Sequence, residues 1–259
     1  MLATSSVTIE SRFDGAVRRV IANVPPGNIY SADVICQLQA ALEAIPRDPE
    51  VRLITLEGAG AHFSYGAAVE EHTREKIVDV LPRLRELALE IACSPVPVAA
   101  LIHGCCFGGA AEAVLACHFI FAANDVRFAL PEIKLGVFPP YACALLPRLV
   151  GQAAADRLVL TGEPIGSRDL AELGLTTFTS KPGELHTQTD AWFRQTLGNY
   201  SASSLRIATR ASRHRFLRHL ERDMVEYERL YLDELMGTYD ANEGIAAFID
   251  KRKPLWRSR

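Results

Sequence analysis

One carboxylate in an apolar segment gives the first indication of chemistry. Glu112 is the only charged residue in the small-residue run GGAAEAVLAC, which covers residues 108–117. A run of this composition belongs in the core, where a carboxylate is costly unless it is paired, hydrogen-bonded or neutralised by a raised pKa. Raised pKa values suit groups that transfer protons, so Glu112 is a candidate acid or base. The alternative is a structural glutamate paired with an internal arginine or a buried amide.

Glu132 is a second candidate, and its value comes from a possible pairing with Glu112. It follows Pro131 in the segment FALPEIKLG, and Pro-Glu is a common way to begin a helical turn. Taken alone, it is better explained as a helix start. Two carboxylates from separate buried segments can, however, hold one water molecule or divide the acid and base roles of a proton transfer.

Main-chain N–H groups near Glu112 are candidates for binding negative charge. Gly109 lies three residues before Glu112, so its N–H and the glutamate side chain are about one helical turn apart. A free N–H at a helix N-terminus attracts developing negative charge. The loop HFSYGAAV, residues 62–69, is rich in small residues, so its main chain around Ala67 can approach a ligand closely. An ordinary strand-to-helix connection is the alternative for this loop.

Several other kinds of site are excluded by the motifs. The six cysteines form no CxxC pair and have no regular spacing, which argues against a zinc site and a disulfide framework and predicts buried free thiols in a reducing cytoplasm. The sequence contains neither the GxSxG of a nucleophile elbow nor the phosphate-binding pattern GxxxxGK[ST]. No metal site is therefore expected.

Composition limits the class of protein and its partners. The chain has 259 residues, 49% hydrophobic and 23% charged, with a net charge of −3. These values are typical of a folded globular protein and provide no global positive field for nucleic acid or an anionic membrane. The uncharged stretch from Ile91 to Ala111 is long enough to span a membrane, but prolines and glycines interrupt it. We expect it to be buried core, and we expect neither nucleic-acid nor membrane partners.

The elements that position these residues alternate between strand and helix. Period-two patterns predict strands near VTIESRF and AVRRVIANV, and helical spacing follows Ser31 up to Pro46. A strand is predicted over Val51 to Glu57, a helix from about Glu70, and a buried strand over Pro97 to His103. The helix that carries Glu112 and the strand HFIFAA come next. This alternation predicts an α/β architecture.

The character of the chain changes after about residue 200. We predict a core over residues 1–200 and a helical region over 201–259, which begins with arginines and continues with acidic residues. A basic helix is able to contact nucleic acid or phosphate, although a solvated face is the more usual role. The region also contains many apolar residues for a free surface helix, which predicts an oligomer. These apolar residues are Phe216, Leu217, Leu220, Leu230, Leu232 and Leu235.

Taken together, the motifs resemble those of the enoyl-CoA hydratase/isomerase (crotonase) family. The likeness covers essentially the whole chain, including FSYGAA, VPVAALIHGCCFGGAAEAVLACHFIFA, VRFALPEIKLGV, LTGEPIGSRDLAELGL and DANEGIAAFIDKRKPLW. It implies a spiral of ββα turns forming two roughly perpendicular sheets, followed by a C-terminal helical trimerisation region. A homotrimer or a dimer of trimers in the cytoplasm is the expected assembly.

The resemblance also implies roles for individual residues. The N–H groups of Ala67 and Gly109 would form the oxyanion hole for an acyl-CoA thioester carbonyl, and Glu112 and Glu132 match the two catalytic glutamates of the hydratases. Coenzyme A would enter as part of the substrate, with no cofactor bound permanently. The residues expected to contact it are Ser64, Tyr65, Ala67, Val69, Lys251 and Arg252.

Departures from the usual family pattern point to a subfamily. The glycine run reads Gly108-Gly109-Ala110, Ala68 stands where many members have aspartate, and PPYAC at 139–143 replaces a glycine-rich stretch. FSYGAAVEEH with PEIKLGVFPPYA looks more like the cyclohexa-1,5-dienecarbonyl-CoA hydratases. Two prolines would stiffen the pocket wall and Tyr141 would offer a flat face to a ring, unless these residues pack inward. The expected substrate pocket comprises Val137, Phe138, Pro140 and Tyr141.

Three functions are therefore compared. The first is a hydratase that adds water to a conjugated cyclic dienoyl-CoA, and the second is a hydratase or isomerase of a linear enoyl-CoA. The third is a non-catalytic protein of the same fold that binds acyl-CoA or RNA. The net charge of −3 and the two retained glutamates weigh against the third.

Overall fold

Strands and helices alternate through the first half of the chain, as the sequence predicts. A computed structural model describes residues 5–259. The strands are β1 Val7–Arg12, β2 Val17–Ala22, β3 Leu53–Gly58, β4 Val98–Ile102, β5 Cys105–Phe107, β6 Phe119–Ala123, β7 Arg127–Ala129, β8 Ile165–Gly166 and β9 Phe178–Ser180. The helices are α1 Ala32–Ala44, α2 Ile77–Cys93, α3 Gly108–Ala116, α4 Pro140–Val150, α5 Gln152–Thr161, α6 Ser167–Glu172, α7 Leu185–Gln195, α8 Ala202–Leu217, α9 Leu220–Arg229 and α10 Tyr239–Ile249.

The strands form two sheets. The larger sheet has the order β1-β2-β3-β4-β6-β9, in which β1 and β2 are antiparallel and every other neighbouring pair is parallel. The smaller sheet has the order β5-β7-β8. Helices α1 and α2 connect successive parallel strands, as parallel pairing requires. The short strand β5 leads directly into α3, so the smaller sheet fixes the start of the helix that carries Glu112.

Both faces of the larger sheet are buried, which explains the continuous apolar runs of its central strands. Successive side chains of a strand point to opposite faces. Ile54 and Ala100 accordingly join the main core with α1, α2 and α3, whereas Leu53 and Leu101 join a second cluster beneath α7. Strands covered on both faces have no polar face to alternate with.

The structure corrects one helix boundary, at the start of α2, and it also shows what two arginines of the basic helix bind. A helix predicted from about Glu70 begins only at Ile77, after a single 3-10 turn over Val69–Glu71, because residues 70–76 offer no apolar face. In α8, Arg206 donates to the main-chain carbonyl of Pro46, and Arg213 donates to that of Ala116. These two arginines are therefore internal supports.

The uncharged segment and the cysteines take the following positions. The stretch from Ile91 to Ala111 is divided among α2, β4, β5 and α3 in the core. Within residues 5–259, no helix is both long enough and apolar enough to cross a membrane. All six cysteines are free thiols, but only Cys106 and Cys117 are buried and Cys93 is exposed. The prediction that the thiols are buried is thus wrong for most of them.

Candidate active site

Glu112 lies in the core and is held by the beginning of another helix. Every residue of α3 is buried, and Glu112 is 2% exposed. Its Oε1 accepts hydrogen bonds from the N–H groups of Tyr141 and Ala142, both at 2.8 Å. These are the second and third residues of α4, whose N–H groups have no partner within the helix. The N-terminus of α4 therefore provides the donors and the positive dipole end that a buried carboxylate needs.

The start of α4 gives Pro140 a role different from the predicted one. Pro140 is the first residue of α4, where its fixed φ suits the helix and its missing N–H removes no bond. The next two N–H groups then face Glu112. Pro140 and Val137 are buried, as Glu112 is, so their place in the wall of a ring-binding pocket stays a prediction.

The two aromatic residues predicted to line the pocket pack within the chain. Tyr141 is fully buried, and its hydroxyl lies 2.6 Å from the carbonyl oxygen of Leu81 and 2.8 Å from Oε2 of Glu228. Phe138 is partly buried and its ring lies 5.5 Å from that of Tyr231. The inward packing considered as the alternative is therefore what occurs for Tyr141, because its hydroxyl has partners only in that direction.

Glu132 lies beside Gly108, at the start of α3. It lies in the 3-10 turn Pro131–Leu135, and its Oε1 is 3.0 Å from the position that a Cβ of Gly108 would occupy. The residue as a whole is partly exposed, but its Oε2 is buried and has no hydrogen-bond partner within residues 5–259. A buried carboxylate oxygen without a partner is costly unless the group is neutral or meets a ligand.

The two glutamates influence each other's ionisation. Burial raises the pKa of Glu112, while the N–H groups of Ala142 and Tyr141 act in the opposite direction. Burial, and after it the charge of Glu112, raises the pKa of Glu132 well above its usual range. The pKa of Glu132 is raised further, so Glu112 is the group of the pair that loses its proton first. A carboxylate and a carboxylic acid side by side are suited to accepting one proton and donating another.

The main chain of Ala67 lies beside Gly109. Gly109 is the second residue of α3, where the helix leaves its N–H free. The nitrogen of Ala67 is 3.8 Å from the position that a Cβ of Gly109 would occupy, and Leu84 Cδ2 is 2.9 Å from it. A side chain at position 109 would therefore crowd the space beside Ala67. If the N–H groups of Ala67 and Gly109 both point into this space, they can bind one oxyanion.

Two further glycines make this approach possible, and sequence reasoning did not select them for this role. Gly66 has φ +102 and Gly108 has φ +52, conformations that favour glycine. A Cβ on Gly66 would lie 2.8 Å from the carbonyl oxygen of Phe107. The two chain segments that carry the donors thus touch glycine to glycine. The only signal in the sequence is that each glycine immediately precedes a proposed donor residue.

A pocket of about 730 Å³ opens beside Ala67 and receives some of the predicted coenzyme A contacts. Tyr65, Val69 and Arg252 line it with Ala67, and its opposite wall comes from α10 and the residues after it. Arg252 also makes a salt bridge to Glu243, which takes up part of its charge. Glu112 and Glu132, the two candidate catalytic residues, are not among the residues that line this pocket.

Two predicted coenzyme A contacts do not line this pocket. Ser64 is completely buried, where its hydroxyl donates to the carbonyl of Asn28 and accepts from the N–H of Gly66. Its role is to shape the loop. Lys251 is exposed in the turn after α10 and is not among the lining residues.

Tyr231 is a candidate site residue that nothing in the sequence singled out. It comes from a π-helical turn, Leu230–Glu234, and is 2% exposed. Its hydroxyl has no hydrogen-bond partner within the described part of the chain. Burial and the charges of Glu132 and Glu112 raise its pKa, so the hydroxyl lies within electrostatic reach of both carboxylates. Within residues 5–259, no group of three or more His, Cys, Asp or Glu side chains could hold a metal ion.

Comparisons with known proteins identify the family of this chain. The family model of enoyl-CoA hydratase/isomerase matches residues 12–259. The chain is 37% identical to a cyclohexa-1,5-dienecarbonyl-CoA hydratase of Thauera aromatica over 99% of both chains. It is 33% identical to a probable enoyl-CoA hydratase of Bacillus subtilis over 90% of this chain and 92% of that one.

Solved structures extend the likeness to the fold. A crystal structure of an enoyl-CoA hydratase from Mycobacterium avium subsp. paratuberculosis superposes with a TM-score of 0.86 at 25% identity, covering 98% of this chain and 99% of that one. The crotonase-like α/β fold expected from the sequence is thereby confirmed. Since the family model and the relatives both span nearly the whole chain, the protein belongs to the enoyl-CoA hydratase/isomerase family and is an enzyme of the hydro-lyase type.

Proposed function

We propose that the protein adds water to a conjugated cyclic dienoyl-CoA of the cyclohexa-1,5-diene-1-carbonyl type. The observation that carries the proposal is the pair of carboxyl groups, Glu112 within α3 and Glu132 beside Gly108 at the start of that helix, close to the main-chain N–H groups of Ala67 and Gly109. Addition of water to a double bond conjugated with a thioester needs a base, an acid and donors for the carbonyl oxygen. The site contains one group for each role.

The reaction follows from these positions. The thioester oxygen accepts hydrogen bonds from the N–H groups of Ala67 and Gly109. These hydrogen bonds become stronger as negative charge develops on the oxygen. Glu112 removes a proton from water, the oxygen forms a bond to the β carbon, and the π electrons move to the thioester oxygen. As the carbonyl re-forms, the far end of the diene takes a proton from Glu132. One hydroxyl and one proton have then been added, and proton exchange between the two carboxyls restores the pair.

The choice of a cyclic substrate rests on the relative from Thauera aromatica, whose name states that substrate. Tyr65, Val69 and Arg252 would hold the coenzyme A portion in the pocket beside Ala67. The predicted aromatic wall no longer supports the proposal, because Tyr141 is buried with its hydroxyl engaged. Phe138 and Tyr231, which pack together near the two carboxylates, are the aromatic groups that remain for the acyl end.

A linear enoyl-CoA is the second candidate substrate. The probable enoyl-CoA hydratase of Bacillus subtilis, 33% identical, favours it, as does the loss of the predicted aromatic wall. The test is a screen of the purified protein against cyclohexa-1,5-diene-1-carbonyl-CoA and crotonyl-CoA. We expect kcat/KM for the cyclic thioester to be higher by at least about tenfold, which corresponds to about 1.4 kcal/mol of transition-state binding. A higher value for crotonyl-CoA would refute the cyclic substrate.

The proposal includes the setting in which the enzyme acts. We infer a cytoplasmic homotrimer or dimer of trimers that has no permanently bound cofactor and does not bind nucleic acid. Two arginines of the basic helix, Arg206 and Arg213, support main-chain carbonyls, which leaves fewer charges for RNA. Salt-sensitive RNA binding without turnover of any acyl-CoA would instead favour a non-catalytic protein.

A further inference from the structure

We propose that Tyr141 and Glu228 are positioning residues for Glu112, connecting the C-terminal helical region to the catalytic carboxylate. The inference rests on the proposed function and adds two residues to it that do not contact substrate. Arg85 completes the connection. These three residues come from α4, α9 and α2, which meet behind the active site.

A continuous set of hydrogen bonds joins these residues. Nη1 of Arg85 lies 2.8 Å from Oε1 of Glu228, and Oε2 of the same carboxylate lies 2.8 Å from the Tyr141 hydroxyl. That hydroxyl also lies 2.6 Å from the carbonyl oxygen of Leu81, so one hydrogen serves two acceptors. The main-chain N–H of Tyr141 then donates to Glu112 at 2.8 Å. The side chain of Tyr141 is thus fixed at one end while its main chain holds the catalytic carboxylate at the other.

The central residues of the network are buried, so the network belongs to the core and not to the surface. Glu228 is 8% exposed and Tyr141 is fully buried. A buried carboxylate is retained only where its oxygens have partners, and both oxygens of Glu228 are occupied here. Because Tyr141 is the second residue of α4, movement of its ring would displace the first turn of that helix. The two N–H groups that face Glu112 would move with it.

The consequence for Glu112 has a definite sign. The N–H groups of Tyr141 and Ala142 lower the pKa of Glu112 against the effect of burial. When the helix turn is less firmly held, these hydrogen bonds weaken and the pKa of Glu112 rises. A base with a higher pKa is protonated over a wider range, so turnover is lost first on the acid side of the pH profile. A residue that merely stabilised the fold would leave this limb unchanged.

The experiment measures the ionisation of Glu112 directly. Protein labelled with ¹³C at the glutamate side-chain carboxyl is titrated by NMR, and the Glu112 signal is assigned by its loss in Glu112→Gln. We expect Tyr141→Phe and Glu228→Gln each to raise the midpoint of this signal by about half a pH unit or more, because each removes one hydrogen bond or charge from the network. Where the variant protein turns over substrate, kcat on the acid side should fall about threefold for each half unit of this rise, with KM nearly unchanged.

Asp223→Asn is the matched control. Asp223 also lies on α9 and pairs with Arg148 of α4 at 2.6 Å, so it joins the same two helices without touching the network. We expect this variant to lose a similar amount of thermal stability while the Glu112 midpoint and the pH profile stay at their wild-type positions. Arg85→Lys, which keeps the charge, provides a milder change should Glu228→Gln fold poorly, and it should raise the midpoint less.

The outcomes separate this inference from the proposed function. If Tyr141→Phe leaves the Glu112 midpoint at the wild-type value, or if Asp223→Asn shifts it equally, the positioning role is refuted. The titration needs no substrate. A wild-type protein that turns over no enoyl-CoA would therefore overturn the proposed function while the NMR result still decides the role of Tyr141 and Glu228.

Discussion

The two carboxyl groups at the site are unequal because their surroundings are unequal. Glu112 receives two main-chain hydrogen bonds, whereas Glu132 has a buried oxygen without a partner within residues 5–259. We expect Glu112→Gln and Glu132→Gln each to lower turnover by roughly 10²–10⁴, because each amide removes a proton-transfer group and keeps the shape. Steady-state kinetics with acyl-CoA binding by calorimetry would check this. Near-normal turnover in either variant would remove that residue from the mechanism.

The same inequality predicts the pH dependence. Turnover requires Glu112 ionised and Glu132 protonated, so kcat/KM should rise with pH as the pair loses its first proton and fall as it loses the second. Both limbs should lie above the range of ordinary carboxyl groups, since burial raises both pKa values. In Glu132→Gln the alkaline limb should disappear while the acid limb stays near its wild-type position, because Glu132 is still neutral when Glu112 loses its proton. An unchanged alkaline limb would assign it to another group.

The sequence singled out Glu112 but not Glu228 or Tyr231, and the difference has a physical reason. Glu112 stood out because a charge in an apolar run must have a reason for being there. The orientation of Tyr141 stayed open because Pro-Pro-Tyr is equally consistent with a stiff pocket wall and with a helix start, and only the hydrogen-bond partner of the hydroxyl decides between them. That partner, Glu228, is 87 residues away, a separation for which local spacing gives no signal. Tyr231 was missed for the same reason.

At the level of elements, the contact between two glycine turns decides whether the site forms. Gly66→Ala places a methyl group 2.8 Å from the carbonyl of Phe107 on a left-handed residue. Gly60→Ala is the matched control, since Gly60 also has a positive φ, +80, but nothing lies within 4 Å of the added Cβ. Both variants should lose about 1–2 kcal/mol from backbone strain. Only Gly66→Ala should lose more stability in urea and most of its activity.

A second prediction for the elements concerns Glu57 at the end of β3. Burial opposes its ionisation, but hydrogen bonds from His186, Arg19 and Thr55 outweigh burial and lower its pKa to about 2. Because the pKa is lower in the folded than in the unfolded chain, this group stabilises the fold above about pH 4.5, and that stability is lost as pH falls toward 2. Glu57→Gln should remove about 3 kcal/mol at neutral pH. Urea unfolding should show the difference from wild type vanishing in acid.

For the whole molecule, the order of the elements was predictable because strands buried on both faces are recognisable as short apolar runs. The start of α2 was predicted about seven residues too early, since polar residues 70–76 show no helical periodicity of their own. The tail residues that predicted an oligomer prove to pack largely within the chain. Leu220 is fully buried and Leu230 is 42% exposed.

A contact between subunits would therefore have to use other exposed apolar residues. Ile207 is 61% exposed, Phe248 52% and Leu255 70%, and side chains of this size are normally covered when they cluster. We expect a trimer-based oligomer, measured as a threefold or sixfold mass by light scattering at micromolar concentration. A monomer under these conditions would contradict the assembly.

Glu112 accepts its hydrogen bonds from the first turn of α4, and this affects how freely the residues around the site can change during evolution. The donors to this carboxylate are main-chain N–H groups, which every amino acid except proline supplies. Substitutions at positions 141 and 142 can reshape the surroundings, and can shift where the donors lie, without deleting the donors themselves. A lineage can therefore exchange pocket side chains for a new acyl group while the base remains in place. Proline at position 141 or 142 is the one simple replacement that would remove a donor outright.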